Sequence, residues 1–436
     1  MNILIKNIDV VTCDESCKVV KNTNIAIKEN TIYYIGTDEE KLREFKADNV
    51  IDGRNKLAMP GLINTHTHTA MTIMRNYGND LPLEEWLFNK ILPVEAKLTE
   101  EDIYWGTMLG IAEMIKTGTT TFTDMYYQMD TVAKVVEDTG MRANLCRNAF
   151  KFIGNEDEMV RNQIPVCVEY FKNWHNKANG RIKVYVEIHS VYLCDEVGLT
   201  ESAKLAKELG TGIHIHLLET FKEREDGIKR YGMNPAEVCL KTGVFDVPVI
   251  AAHCVHLTDS DFDILKEKGV SVAHNPTSNL KLGSGIANVP LMLKKGINVA
   301  LGTDGASSNN NLDMFEEIHI AALIHKGVNM QPTLVTAEEV LKMATVNGAK
   351  AIGFGNEVGQ IKEGYKADII LIDMDKPHIV PVNDYISALV YCVQGSDVDT
   401  VIVDGNILME NRVLKTIDEE KVKSKVKEIS KKILEK

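Results

Sequence analysis

Eight short apolar runs, each followed by a segment of helical character, constrain this chain more than any other feature. They lie at 58–64, 118–123, 142–146, 183–188, 212–215, 247–252, 270–273 and 297–301. Strands that alternate with helices build a parallel sheet, and eight such units are the number that closes a (β/α)8 barrel. The intervening helices carry end signals. Thr99-Glu100-Glu101-Asp102 reads as an N-cap with an acidic first turn, and Gly118 as the stop of that helix. The two ends of the chain look different. Strands are predicted at 3–11, 24–28 and 31–36 near the N-terminus and at 367–372 and 400–403 near the C-terminus. Val403-Asp404-Gly405-Asn406 reads as a hairpin turn.

The strand ends carry the chemistry. Each apolar run finishes in or beside a polar residue: His66/His68, Asp124, Arg147, His189, His216, His253, His274 and Asp304. Polar groups at the C-terminal ends of barrel strands converge on one mouth. Loop polarity alone explains Asp124, but it does not explain five strands ending in histidine when the chain has only 12. In His66-Thr67-His68 the two imidazoles are two residues apart, so an extended strand points them the same way. That arrangement suits zinc or iron(II). His216 and His214 share a strand face and compete as a third ligand, with His216 preferred as nearer the strand end. Asp304, in Gly302-Thr303-Asp304-Gly305, is the fourth, and its glycines are expected to let the backbone turn tightly. Three histidines and an aspartate leave a position for water, as a catalytic site requires. A metal lowers the pKa of water towards about 7, and a side chain must then carry the proton. Glu219, three residues past His216, is the candidate; otherwise it is a solvated residue of a helix's first turn. His253 is a candidate to orient the water, with His256 as its competitor.

Composition removes several function classes. The 436 residues are 44% apolar and 25% charged, as in an ordinary soluble protein, and suffice for one large domain or two to three smaller ones. A net charge of −13 argues against a nucleic-acid or anionic-membrane partner. The eight cysteines include no C-x-x-C pair; Cys13 and Cys17 are the closest, and reduced structural thiols are expected. Neither a signal-peptide pattern at the N-terminus nor a membrane-length apolar run is evident, so a cytoplasmic location is expected. In the C-terminal stretch 418–436, Val422, Val426, Ile429 and Ile433 fall on one helical face opposite seven lysines, which reads as a docking helix.

Four segments resemble the amidohydrolase superfamily: Pro60-Gly61-Leu62-Ile63-Asn64-Thr65-His66-Thr67-His68, His216-Leu217-Leu218-Glu219-Thr220, Leu301-Gly302-Thr303-Asp304-Gly305-Ala306-Ser307-Ser308-Asn309-Asn310, and Val358-Gly359-Gln360-Ile361-Lys362-Glu363-Gly364-Tyr365-Lys366-Ala367-Asp368. The likeness covers nearly the whole chain and is strongest to the 5-methylthioadenosine/S-adenosylhomocysteine deaminases. It implies a distorted (β/α)8 TIM barrel at 58–358, with a small β-sandwich domain formed by the N- and C-terminal segments 1–57 and 359–436, the second part including the C-terminal helix. It implies one divalent metal per chain, zinc first and iron(II) or manganese as alternatives, on His66, His68, His216 and Asp304. Relatives with two metals bridge them through a carboxylated lysine ending the fourth strand. Here that strand ends Glu187-Ile188-His189-Ser190, and Lys183 lies at its other end.

The implied reaction is hydrolytic deamination at C6 of an adenine nucleoside, with Glu219, His253 and Asp304 catalytic. The resemblance assigns substrate contacts to Trp86, Glu95, Arg147, His189, Glu219, Asp304 and Ser308. Glu95 would accept from the ribose hydroxyls, Trp86 would wall the 5′ thioether, and Arg147 would pair with the carboxylate of S-adenosylhomocysteine; the family can use a second arginine there, for which Arg161 is the only nearby candidate, and the sequence leaves its part open. Expected partners are a small nucleoside, with neither nucleic acid nor membrane; a homo-oligomer is compatible with all of this. The competing readings are a guanine or cytosine deaminase, a triazine chlorohydrolase, and a catalytically idle barrel acting as a binding protein. Glu219 speaks for deamination, and Glu95 with Trp86 for a nucleoside over a bare base.

Overall fold

A computed structural model describes residues 1–150 and 162–434. All eight apolar runs form strands: Leu62–Thr67, Thr119–Met125, Arg142–Asn148, Ile182–Ser190, Ile213–Leu217, Val249–His253, Ser271–His274 and Asn298–Leu301. They pair in parallel and in chain order, each with the next. Burial on both faces explains why they read as continuous apolar runs rather than alternating ones.

The first and eighth strands meet without a regular ladder, and side chains complete the closure. Thr65 Oγ1 donates to the Leu301 carbonyl at 2.8 Å, Asn64 Nδ2 to Thr303 Oγ1 at 2.7 Å, and the Thr303 amide back to Asn64 Oδ1 at 3.0 Å. The Asp304 amide donates to the His66 carbonyl at 2.9 Å. The distortion of the barrel therefore sits where the first histidine and the aspartate face each other.

The chain ends share a nine-stranded mixed sheet. Lys56–Pro60, which leads into the first barrel strand, pairs in parallel with Ile3–Val11 and antiparallel with Ile369–Asp373. Val398–Val403 and Asn406–Glu410 form the expected hairpin, with Val403 opposite Asn406 and positive φ at both Asp404 (48°) and Gly405 (72°), the twist a two-residue turn needs. One strand is longer than expected: Val19–Lys28 instead of one beginning at residue 24. Its first residues, Val-Val-Lys-Asn, are largely exposed and give no apolar signal.

Helix Glu100–Lys116 begins at the expected N-cap, which the structure completes as a capping box, Thr99 accepting from the Asp102 amide and Asp102 from the Thr99 amide. The C-terminal helix Glu419–Leu434 buries Val422, Val426, Ile429 and Ile433 and packs on that helix, with Lys116 and Glu419 paired at 2.9 Å. All eight cysteines are free thiols, seven of them buried. Among the described residues no helix is long and apolar enough to cross a membrane.

A buried ion cluster joins sheet to barrel. Arg142, at the start of the third barrel strand, donates to Asp368 Oδ2 at 2.7 Å and Oδ1 at 3.0 Å, and to Asp404 Oδ1 at 3.2 Å; all three side chains are 4% exposed or less. Asp368 also accepts from the Asp404 amide at 2.8 Å. Removing one member strands the opposite charge in the interior, at a cost of roughly 3–5 kcal/mol. Arg142→Met is therefore expected to lower unfolding free energy by about that amount in chemical denaturation; unchanged stability would show that the cluster does not hold the two layers together.

Candidate active site

The barrel mouth gathers His66, His68 and His216 so that one ring nitrogen of each lies within 4.8 Å of the others; His66, His253 and Asp304 form a second such group. His66 and His216 lie on strands and His68 one residue past the first strand's end. Asp304 follows the eighth strand with φ at 64°, and His253 ends the sixth with φ at 73°. Left-handed backbone at bulky residues stores strain, a recurring mark of functional positions. The two glycines beside Asp304 act differently from expectation. They do not supply the turn, since the positive φ belongs to Asp304 itself. They give room: a Cβ at Gly302 would lie 2.9 Å from the His66 backbone nitrogen, and one at Gly305 would lie 2.7 Å from Met71 Sδ.

Hydrogen bonds on the far side of each ring decide which nitrogen faces the centre. Nδ1–H of His68 donates to the Met125 carbonyl at 2.7 Å, and Nδ1–H of His216 to the His189 carbonyl at 2.8 Å. A carbonyl only accepts, so Nδ1 carries a proton in both rings and Nε2 is the nitrogen that faces inward. His66 Nδ1 meets His214 Nε2 at 3.0 Å. His214 thus supports His66 from behind, and His216 joins the cluster, with Nε2 3.4 Å from His68 Nε2. Asp304 Oδ1 lies 3.3 Å from His68 Nε2 and 3.5 Å from His66 Nε2. Its Oδ2 accepts from Ser278 at 2.7 Å and Ser308 at 3.0 Å.

This donor set fits a divalent metal. His66 Nε2 is buried and has no hydrogen-bond partner among the described residues, and an unpaired buried nitrogen is costly unless something binds it. Burial pushes the His66 pKa down to about 4. Burial also opposes a charge on His68, but the hydrogen bond and charge of Asp304 outweigh it and hold His68 up at about 9. Competition for that proton is what a metal at the same place would meet.

Glu219 is 4% exposed and lies just before the Thr220 N-cap of helix Phe221–Tyr231, rather than in its first turn. Its Oε2 is 3.8 Å from His253 Nε2, and its Oε1 accepts from Ser284 at 3.3 Å. Burial raises its pKa above the ordinary carboxylate value. His253 is held through Nδ1 by Asn279 Oδ1 at 2.8 Å. The competitor His256 contacts the Ser284 carbonyl at 2.7 Å and does not line the cavity.

Trp86, Glu95, His189, Glu219, His253 and Asp304 line one cavity with His68 and His216. The His189 ring stacks on His216 with centroids 4.6 Å apart. Ser308 touches Asp304 instead of lining the cavity. Arg147 is next to the lining rather than part of it, Nη1 donating to Asn148 Oδ1 at 2.8 Å, and Asn148 lines the cavity. Arg161 lies outside the described residues. Not every polar strand end turns into the mouth. His274 meets His325, Nε2 to Nε2 at 3.3 Å, and Asp124 accepts from Thr67 and from the Thr69 amide and hydroxyl at 2.7–3.0 Å, bracing the turn after His68. Sequence reasoning missed Ser278, Asn279, Asn148 and Glu187. The first two belong to a polar stretch after the seventh strand end, Asn275-Pro276-Thr277-Ser278-Asn279, which was a readable signal.

The Amidohydrolase family model matches residues 57–408. The chain is 66% identical over 434 residues to 5-methylthioadenosine/S-adenosylhomocysteine deaminase of Acetivibrio thermocellus, covering 100% of both chains. It is 52% identical to the enzyme of that name from Thermoanaerobacter pseudethanolicus, again over 100% of both. Among solved structures, an adenosine deaminase from Xanthomonas campestris with bound zinc superposes with a TM-score of 0.95 at 30% identity, over 100% of this chain and 99% of that one. The strand-end histidines, the aspartate after the eighth strand and the full-length likeness agree: the chain belongs to the amidohydrolase family and, within it, to the 5-methylthioadenosine/S-adenosylhomocysteine deaminases.

Proposed function

We propose that this chain is a metal-dependent deaminase that converts 5′-methylthioadenosine and S-adenosylhomocysteine to their inosine analogues and ammonia. The observation that carries the reading is the buried pair Glu219 and His253 at 3.8 Å, facing the same cavity as the histidine–aspartate cluster. The substrates follow the names of the full-length relatives. One divalent ion, zinc by analogy with the zinc-bound adenosine deaminase, would be held by His66, His68, His216 and Asp304. When bound, it supplies Lewis-acid activation of a water near neutral pH.

The protein's own groups manage the protons. Water adds its oxygen to C6, and Glu219 carries a proton to ring N1. Burial raises the pKa of this carboxyl, which therefore holds that proton more readily than an exposed one before releasing it in the step. Asp304, fixed by Ser278 and Ser308, takes the remaining hydroxyl proton to the departing amine. The C6–N bond breaks and ammonia leaves. His253, held by Asn279, orients the attacking oxygen. Glu95 binds the ribose hydroxyls, Trp86 walls the 5′ end, His189 contacts the nucleoside and Arg147 serves the far carboxylate of S-adenosylhomocysteine.

The zinc-loaded protein is expected to convert both nucleosides, read as loss of adenine absorbance. Turnover of guanine or cytosine with neither nucleoside consumed would overturn the reading. Glu219→Gln is expected to retain metal while kcat falls by roughly 10²–10⁴-fold; full activity would mean that another group moves the proton. Zinc titrated into metal-free protein near pH 7 is expected to release protons, because the His68 raised to about 9 is protonated there and a ligand must be neutral. Heats of binding independent of the buffer's ionisation enthalpy would contradict this.

A further inference from the structure

The reaction as derived leaves one buried acid in the cavity without a task. Glu187, on the fourth barrel strand, is 7% exposed and lines the cavity. Its Oε2 is buried and has no hydrogen-bond partner among the described residues. An uncompensated buried carboxylate is expensive, so such a group is retained where a ligand completes it. Its neighbourhood indicates which ligand. Glu187 is the register partner of Asn148 on the third strand, and Asn148 Oδ1 accepts from Arg147 Nη1 at 2.8 Å. A guanidinium and a carboxylate thus flank one cavity-lining amide. The head of an α-amino acid is their complement, a carboxylate and an ammonium on one carbon.

We propose that Glu187 is a specificity-determining residue that accepts the α-ammonium of a nucleoside whose 5′ substituent ends in an amino acid, while Arg147 serves that substituent's carboxylate. This rests on the nucleoside-deaminase reading above and adds to it the means of telling S-adenosylhomocysteine from 5′-methylthioadenosine. The cation arrives with the substrate, which accounts for the empty acceptor. Burial holds the Glu187 pKa up at about 8, with Arg147 the leading opposing influence, and an ammonium arriving beside it would favour the ionised carboxylate. Glu95 differs: its unpaired Oε1 lines the same cavity, but Arg147 is not among the charges acting on it.

The test is steady-state kinetics on the zinc-loaded full chain with three substrates: 5′-methylthioadenosine, S-adenosylhomocysteine, and an S-adenosylhomocysteine analogue with hydrogen in place of the α-ammonium. A charge-assisted hydrogen bond implies that the wild type favours S-adenosylhomocysteine over the analogue by about tenfold or more in kcat/KM. In Glu187→Gln that preference is expected to shrink to within about threefold, and the kcat/KM ratio of S-adenosylhomocysteine to 5′-methylthioadenosine to fall about tenfold. The wild-type comparison needs no variant to fold. No preference in the wild type, an undiminished preference in the variant, or a parallel loss on all three substrates would overturn the proposal. A wild type that turns over none of them would overturn the deaminase reading itself, whereas turnover of all three without discrimination would overturn only the role of Glu187.

Discussion

The outer hydrogen bond on each cluster histidine is the constraint on which the site depends. A free imidazole can present either nitrogen. Here the Met125 and His189 carbonyls accept from Nδ1 of His68 and His216, and His214 occupies the back of His66. The nitrogens of His68 and His216 that face inward are therefore fixed as Nε2 before any ion arrives. The backbone carbonyls belong to neighbouring barrel strands, so the ladder that aligns those strands also sets which ring nitrogen faces the centre. Asp304 is fixed in the same way, with two serines on one oxygen and the Gly305 amide on the other.

That arrangement tolerates little movement, and the surroundings are built accordingly. The first and eighth strands are joined by Asn64, Thr65 and Thr303 directly below His66 and Asp304. Glycines at 302 and 305 let the Asp304 loop press against the His66 backbone and Met71. At the base of the barrel, Arg142 ties the third strand to Asp368 and Asp404 of the terminal sheet. A shift in that sheet would reach the barrel through the strand that ends at Asn148, on the cavity wall.

Much of this was legible in the sequence because buried parallel strands are apolar throughout and their ends are abruptly polar. The eight runs and the residues His66, His68, His216, Glu219, His253 and Asp304 stand out on that contrast. What hid was facing direction. His214 and His216 have the same strand parity, and only the contacts separate a supporting ring from a cluster member. Arg147 and Asn148 are adjacent, and the one that lines the cavity is the neighbour of the one expected there. Glu187 lies three residues before the end of its strand, where a single acid in an apolar run gives no sign of opening on a cavity. Ser278 and Asn279 lie in a short helix past the seventh strand and act through the side chains they hold.

Anomalous diffraction at the zinc edge from crystals of the zinc-loaded protein tests the central arrangement most directly. The expected result is one peak in the cavity, at about 2.0–2.2 Å from Nε2 of His66, His68 and His216 and from Oδ1 of Asp304. A peak held by Nδ1 atoms or by His214, or a second cavity peak bound by Glu187, would contradict it.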